Sequence, residues 1–348
     1  MHLEVQKEQL EYLMRVIRVF KTKCKAKSTA LYLAFKDDCS EFTYSSESFF
    51  VKLKLDYIAE FKGEYGLELD FVKNVLALFD DDLIEIDFQD ALVVAHQEGT
   101  TLKGQATKSP KYDSLRIDEN ELREVFLEFD LSNKLLALDL EELGLNCKDP
   151  YAHLYNVSKD KIIKMSSFCA LMQTLEKPTT QNVTLTQDVL SMCSIVGSDA
   201  RFFKYLNSFY IRDINLEVKM PLANVRFPSL EPIIERIKVG GECFLVEAGV
   251  LLDICDKCCN LDLKKKINRV DVVLKNDLIM YSYNTILTGS SQLETTLEWK
   301  ASFNPLLMRS LLKYIDEDYV TICKNNNANA ILVYNENKST IFMLALCK

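Results

Sequence analysis

The side chains that most often carry catalysis or hold metals are sparse in this 348-residue sequence. Its three histidines, His2, His96 and His153, are scattered and show no metal-ligand spacing. The densest thiol group, Cys255-Asp256-Lys257-Cys258-Cys259, invites a zinc or redox reading. It sits inside a helical pattern, however, with no second Cys or His pair at a suitable distance, so packing is the expected role. Asp80-Asp81-Asp82 resembles a carboxylate cluster for a divalent cation. Consecutive helical residues cannot converge on one ion, and a solvated helix end is the simpler reading. There is no phosphate-binding Gly-x-x-x-x-Gly-Lys loop, no Gly-x-Gly-x-x-Gly and no Gly-x-Ser-x-Gly. The expectation is a protein with no catalytic residues, no cofactor and no metal.

Cations are a different matter. Acidic residues outnumber basic ones, 51 to 42, for a net charge of −9. Yet from Tyr12 to Lys36 there is no acidic residue, while Arg15, Arg18, Lys21, Lys23, Lys25, Lys27 and Lys36 all fall there. A lysine-rich segment after a helix is often only a solvated turn. A stretch stripped of acids within an acidic chain instead suits a loose, salt-screened hold on phosphates without choice of base. Lys264, Lys265, Lys266, Arg269, Arg309, Lys313, Arg201 and Lys204 are weaker candidates for the same role elsewhere.

Hydrophobic residues make up 48% and charged residues 27%, the profile of a globular protein. No apolar run reaches the roughly 18 residues of a membrane span. The opening MHLEVQKEQLEYL has neither a basic nor an apolar leader region, so a cytoplasmic protein is expected. Eleven cysteines is an odd number, and Cys24, Cys169, Cys193 and Cys243 lie in apolar surroundings. They read as small core residues and not as a disulfide framework.

The elements that must carry these residues recur. Residues 2–6 read as a strand and 7–20 as a helix, with Leu10, Leu13, Met14, Ile17 and Phe20 at three- and four-residue steps. Three extended segments follow, then a helix over 69–79 and three more strands. The same order returns after Pro110, with helices over 119–129 and 187–196, and again from Val239, with helices over 248–260 and from Pro305. Asn304 suits the N-cap of that last helix and Pro305 its first position. Three units of similar length, 1–112, 113–238 and 239–348, imply an α+β chain in which each domain packs two helices on antiparallel sheet.

Two segments carry a family resemblance. Val225-Arg226-Phe227-Pro228-Ser229-Leu230-Glu231-Pro232-Ile233-Ile234 resembles the segment joining the second and third domains of bacterial beta sliding clamps, the DNA polymerase III beta subunits. The end of the chain, from Phe303-Asn304 to Phe342-Met343-Leu344-Ala345-Leu346-Cys347-Lys348, is similar to the close of the same family. It departs in having Leu230 for a Tyr, no Pro or penultimate Arg in the tail, and Ser166-Ser167-Phe168-Cys169-Ala170-Leu171 where the family has Thr-Asp-Gly-His-Arg-Leu. The resemblance implies a three-domain clamp fold and a homodimer ring around duplex DNA, tethering a DNA polymerase and placed by a clamp loader. Such divergence suits a clamp encoded by a phage or another mobile element. The resemblance also implies a peptide pocket between the second and third domains, with walls at Leu154, Leu171, Pro228, Ile233, Phe342, Leu344 and Leu346. On that reading, deleting Leu344–Lys348 spares assembly and abolishes polymerase stimulation. Two rivals are a monomeric clamp-like viral processivity factor and an α+β enzyme whose site is not visible in the sequence.

Overall fold

In the computed structural model the element order recurs three times, with one addition. The described residues are 2–21, 30–36, 39–45, 49–55, 62–108, 117–127, 129–138, 149, 151–259, 269–275, 278–283, 287–292 and 299–347. The first run is β1 (His2–Gln6), α1 (Lys7–Lys21), β2 (Ala30–Phe35), β3 (Ser40–Ser45), β4 (Phe50–Leu55), β5 (Gly63–Glu68), α2 (Leu69–Leu78), β6 (Leu83–Gln89), β7 (Leu92–Gln97) and β8 (Thr100–Lys108). The second is β9 (Leu122–Glu124), α3 (Phe129–Ala137), β10 (Leu154–Ser158), β11 (Lys161–Met165), β12 (Cys169–Thr174), β13 (Val183–Thr186), α4 (Gln187–Cys193), β14 (Arg201–Tyr205), β15 (Ser208–Arg212) and β16 (Leu216–Pro221). An extra helix, α5 (Glu231–Lys238), precedes the third run. That run is β17 (Glu242–Glu247), α6 (Ala248–Cys259), β18 (Val270–Lys275), β19 (Leu278–Tyr283), β20 (Leu287–Gln292), β21 (Trp299–Phe303), α7 (Pro305–Ile315), β22 (Tyr319–Lys324), β23 (Ala330–Tyr334) and β24 (Thr340–Ala345).

The chain folds into two compact units, Met1–Ser132 with Asp188–Leu222, and Asn133–Gln187 with Ala223–Lys348. In the first, one 12-stranded antiparallel sheet runs β1-β6-β7-β8-β5-β2-β3-β4-β16-β15-β14-β9. The apolar stripe of α1 is buried there: Leu10, Leu13, Met14, Val16 and Ile17 are each at most 3% exposed. Five such side chains bury enough apolar surface to fix which face of the helix meets solvent. In the second unit an 8-stranded sheet runs β13-β10-β11-β12-β24-β23-β22-β17, beside a 4-stranded sheet β20-β19-β18-β21.

Local signals hold at several places. The Asn304 side chain accepts hydrogen bonds from Leu306 N at 2.9 Å and Leu307 N at 3.4 Å, so α7 starts where the cap and Pro305 require. Asp80, Asp81 and Asp82 lie exposed beyond the end of α2, a solvated terminus. Cys255 and Cys258 point into the core from α6, and burial pushes both thiols up, Cys258 to about 11.

Two readings are corrected. The helix expected over 119–129 is a 3-10 turn at Glu119–Glu121 followed by β9, and the helix comes later as α3. Asp118 accepts from Asn120 N at 3.0 Å to close the turn, and Glu124 then pairs with Phe203 of β14; sheet pairing overrides the helical spacing. Within and beyond the segment that resembles the family's domain joint, residues Glu231–Lys238 form α5, with Pro232 in its first turn. Cys243 is not a free core residue: it stands directly opposite Cys323 in the β17–β22 pair and is disulfide-bonded to it.

Candidate nucleic-acid and partner interfaces

The exposed face of α1 carries Arg15 and Arg18, opposite its buried stripe. Arg15 lies over the ring of Tyr12, 5.8 Å from its centroid, and neither arginine has an ion-pair partner among the described residues. Both belong to the C-terminal half of the helix, where the helix dipole favours cations. Lys21 ends α1, but its side chain and all of Lys23, Lys25, Lys27, Lys264, Lys265 and Lys266 lie outside the described residues.

The two cations expected on α7 differ in kind. Lys313 is exposed. Arg309 is half-buried, and its Nε lies 2.5 Å from Oδ1 of Asp256 on α6. That ion pair ties two packed helices together. Sequence reading missed Lys134 on α3, an exposed lysine whose Nζ lies 5.0 Å from the centroid of the Tyr314 ring of α7. A single lysine in a short amphipathic helix gives no signal; only the packing of α3 beside α7 brings it near Lys313's helix.

The 8-stranded sheet sorts the expected pocket residues by strand alternation. Cross-strand register aligns Tyr155, Lys164, Leu171, Phe342 and Val333 in one row. Phe342 and Leu344, 0% exposed, share this first face, and Phe342 meets the Tyr314 ring edge-on at 5.5 Å. Lys164 is buried here, its Nζ donating to Leu138 O and to the Tyr155 hydroxyl, each at 2.7 Å.

The intervening residues make the second face. Ile163, Met172, Ile341 and Tyr334 form one row and Met165, Ala170, Met343 and Leu332 the next. Leu230, Ile234 and Ile237 of the α5 segment pack on this face, with Phe227, Ile341 and Met343 partly buried at its margin. Pro228 and Ile233 are exposed beside it, Leu154 belongs to the same face, and Phe227 meets Tyr151 edge-on at 5.3 Å. So Leu154, Pro228 and Ile233 gather on the α5 side, while Leu171, Phe342 and Leu344 lie on the other. Leu346 follows β24, half-buried, with its N–H bonded to Asn329 O at 2.9 Å.

Two sheet junctions share a pattern. In each run of ten elements the fifth, the third strand after the first helix, is β4, β12 or β20, and the last strand is β8, β16 or β24. β4 pairs with β16, and β12 pairs with β24, antiparallel in both cases. Among the described residues β20 is an edge strand, and the Thr100–Gln105 part of β8 pairs on one side only, with β7.

Among the described residues no group of His, Cys, Asp and Glu converges so as to hold a metal ion, and no helix is long and apolar enough to cross a membrane. No protein-family model matches the sequence, and no curated protein matches it. Solved structures do match, over the full length of the chain. The DNA polymerase III subunit beta from Pseudomonas aeruginosa superposes with a TM-score of 0.81 at 16% identity, covering 100% of both chains. The DNA polymerase sliding clamp from Bacillus subtilis gives 0.81 at 16% identity, covering 100% of this chain and 99% of its own. The Helicobacter pylori beta clamp, solved bound to a DNA ligase peptide, gives 0.79 at 12% identity and 100% of both chains. The fold is that of the beta sliding clamps.

Proposed function

We propose that the protein is a DNA sliding clamp, a non-catalytic ring that encircles duplex DNA and tethers a DNA polymerase to it. The observation that carries this reading is the repeated junction. The same kind of strand pair occurs twice within one chain, β4 with β16 and β12 with β24, and on this reading each joins two of three domains bounded at 1–112, 113–238 and 239–348. The third equivalent pair, β20 and β8, is left open among the described residues of one chain. A second copy placed head to tail satisfies both open edges, and a heterologous contact of that kind closes a ring when the rotation per domain is right. Backbone groups at open edges need partners, which makes the closure favourable as well as geometrically permitted.

Within such a ring, Arg15, Arg18, Lys134 and Lys313, with the lysines of 21–27 and 264–266, hold phosphates without reading bases. The second face around α5 takes a short peptide from a polymerase, a clamp loader or another client, through one or two apolar anchors. The peptide-bound Helicobacter pylori clamp supports that mode. The protein would work in the cytoplasm, where the DNA is.

Topology is the test. Protein loaded on a nicked circular plasmid should stay bound through a high-salt wash and run off once the plasmid is cut. Sedimentation should give twice the chain mass without DNA. A monomeric mass with equal retention on cut and uncut DNA would favour a clamp-like factor holding DNA by charge alone.

A further inference from the structure

We propose that Cys243 and Cys323 form a reversible redox clasp on α5, so that a dithiol reductant loosens this helix and the apolar face it covers. The clasp itself stands on the geometry; only what docks at that face rests on the function proposed above. Among the described residues β17 is an edge strand whose one neighbour in its sheet is β22. The two cysteines occupy directly opposed positions in that pair, Cα atoms 4.1 Å apart, so the disulfide is a second fastening of the edge.

That fastening reaches α5 by three routes. Cys323, 3% exposed, lies in the same apolar cluster as Leu230, Ile234 and Ile237. Asn325, two residues further on, donates from Nδ2 to Arg236 O at 3.0 Å and Val239 O at 2.9 Å, capturing carbonyls at the C-terminus of α5. Between α5 and β17 the chain turns through Gly240, φ +73°, and Gly241, where a Cβ would sit 2.2 Å from Ile237 O and 3.2 Å from Lys324 O. The helix end, the turn and β22 are thus in contact through backbone atoms, and the disulfide lies two residues from that turn.

Access is uneven: Cys243 is exposed and Cys323 buried. A thiolate of the dithiol attacks Sγ of Cys243, forming a mixed disulfide and releasing Cys323 as thiolate, which takes up a proton. The second thiol of the reductant then displaces Cys243. The protein disulfide gains two electrons and two protons, and the dithiol is oxidised to its disulfide. In a reducing compartment bonds of this kind are transient and sensing in character.

Amide hydrogen exchange on the full-length protein tests the clasp without any partner. Dithiothreitol should speed exchange over 230–242 and 323–325 by about tenfold, with peptides from 83–108 unchanged. Cys243→Ser should exchange fast in both redox states, and Cys243→Val, which removes the disulfide with an apolar side chain, should do the same. Equal protection of 230–242 before and after complete reduction would overturn the proposal. A fluorescein-labelled hexapeptide carrying Leu and Phe provides a separate readout. If exchange responds to reduction but the peptide binds in neither state, the clasp stands and the docking role of the face falls.

Discussion

Leu171 of β12 and Phe342 of β24 stand directly opposite one another, both buried, on the face of the sheet away from α5. Their neighbours Met172 and Met343 point the other way, towards α5, where Met172 is buried and Met343 only partly so. Phe342→Ala should therefore destabilise the fold by about 3–5 kcal/mol, as for a large core truncation. Met343→Ala should cost about 1 kcal/mol of stability and weaken a bound peptide by about 2 kcal/mol. Urea denaturation and fluorescence anisotropy separate the two; a stable Phe342→Ala protein would put that ring outside the core.

The tail can be shortened less than its sequence suggests. Leu344 is fully buried between Cys169 and Ile331, so removing Leu344–Lys348 takes out core. Removal of Leu346–Lys348 alone should leave the thermal transition close to the parent's and reduce peptide binding. An unfolded product would show that the bonds from Leu346 to Asn329 and Cys347 to Ser302 are structural requirements.

Arg309 and Lys313 should part company on mutation. Lys313→Ala should lower the slope of log affinity against log salt by about 0.9 for the one phosphate lost, with stability unchanged. Arg309→Ala should leave the slope intact and lower stability, because Asp256 keeps its half-buried carboxylate without a partner. The converse pattern in a filter-binding titration would assign the DNA contact to Arg309.

His2 makes the attachment of β1 sensitive to pH. Its Nδ1 lies 3.0 Å from Asp87 Oδ1, and the ring's pKa is raised above 6.5, chiefly by that bond, with Glu4 and Glu85 adding in the same sense. His96, 3.2 Å from the other Asp87 oxygen, faces the same carboxylate. A raised value in the fold means the stabilisation is complete below 6.5 and fades as pH rises through the folded value. Melting temperature should fall from pH 5.5 to 8.5 less steeply in His2→Ala than in the parent. Equal slopes would remove His2 from the account.

Much of the fold is legible in the residues themselves. The α1 stripe, the Asn304–Pro305 start of α7 and the order of strands and helices follow from local periodicity and caps. What escapes is information held by partners far along the chain. The face that Phe342 takes depends on its register with Leu171, and one residue of slip exchanges the whole set. The residues of β9 keep a helical spacing that only β14 overrules. Arg309 looks like Lys313 until α6 brings Asp256 beside it, and Cys243 looks like any apolar cysteine until β22 sets Cys323 opposite.

The β12–β24 junction also has a mechanical side. Five successive residue pairs, Cys169 with Leu344 through Gln173 with Thr340, are laid along one line, and β23 flanks β24 on its other side. A tug directed along β24 loads both ladders in shear, so that all their bonds share it at once. A client held beside Ile341 and Met343 that pulled lengthwise would meet this stiff direction of the sheet. One that peeled the strand sideways would break the bonds one pair at a time.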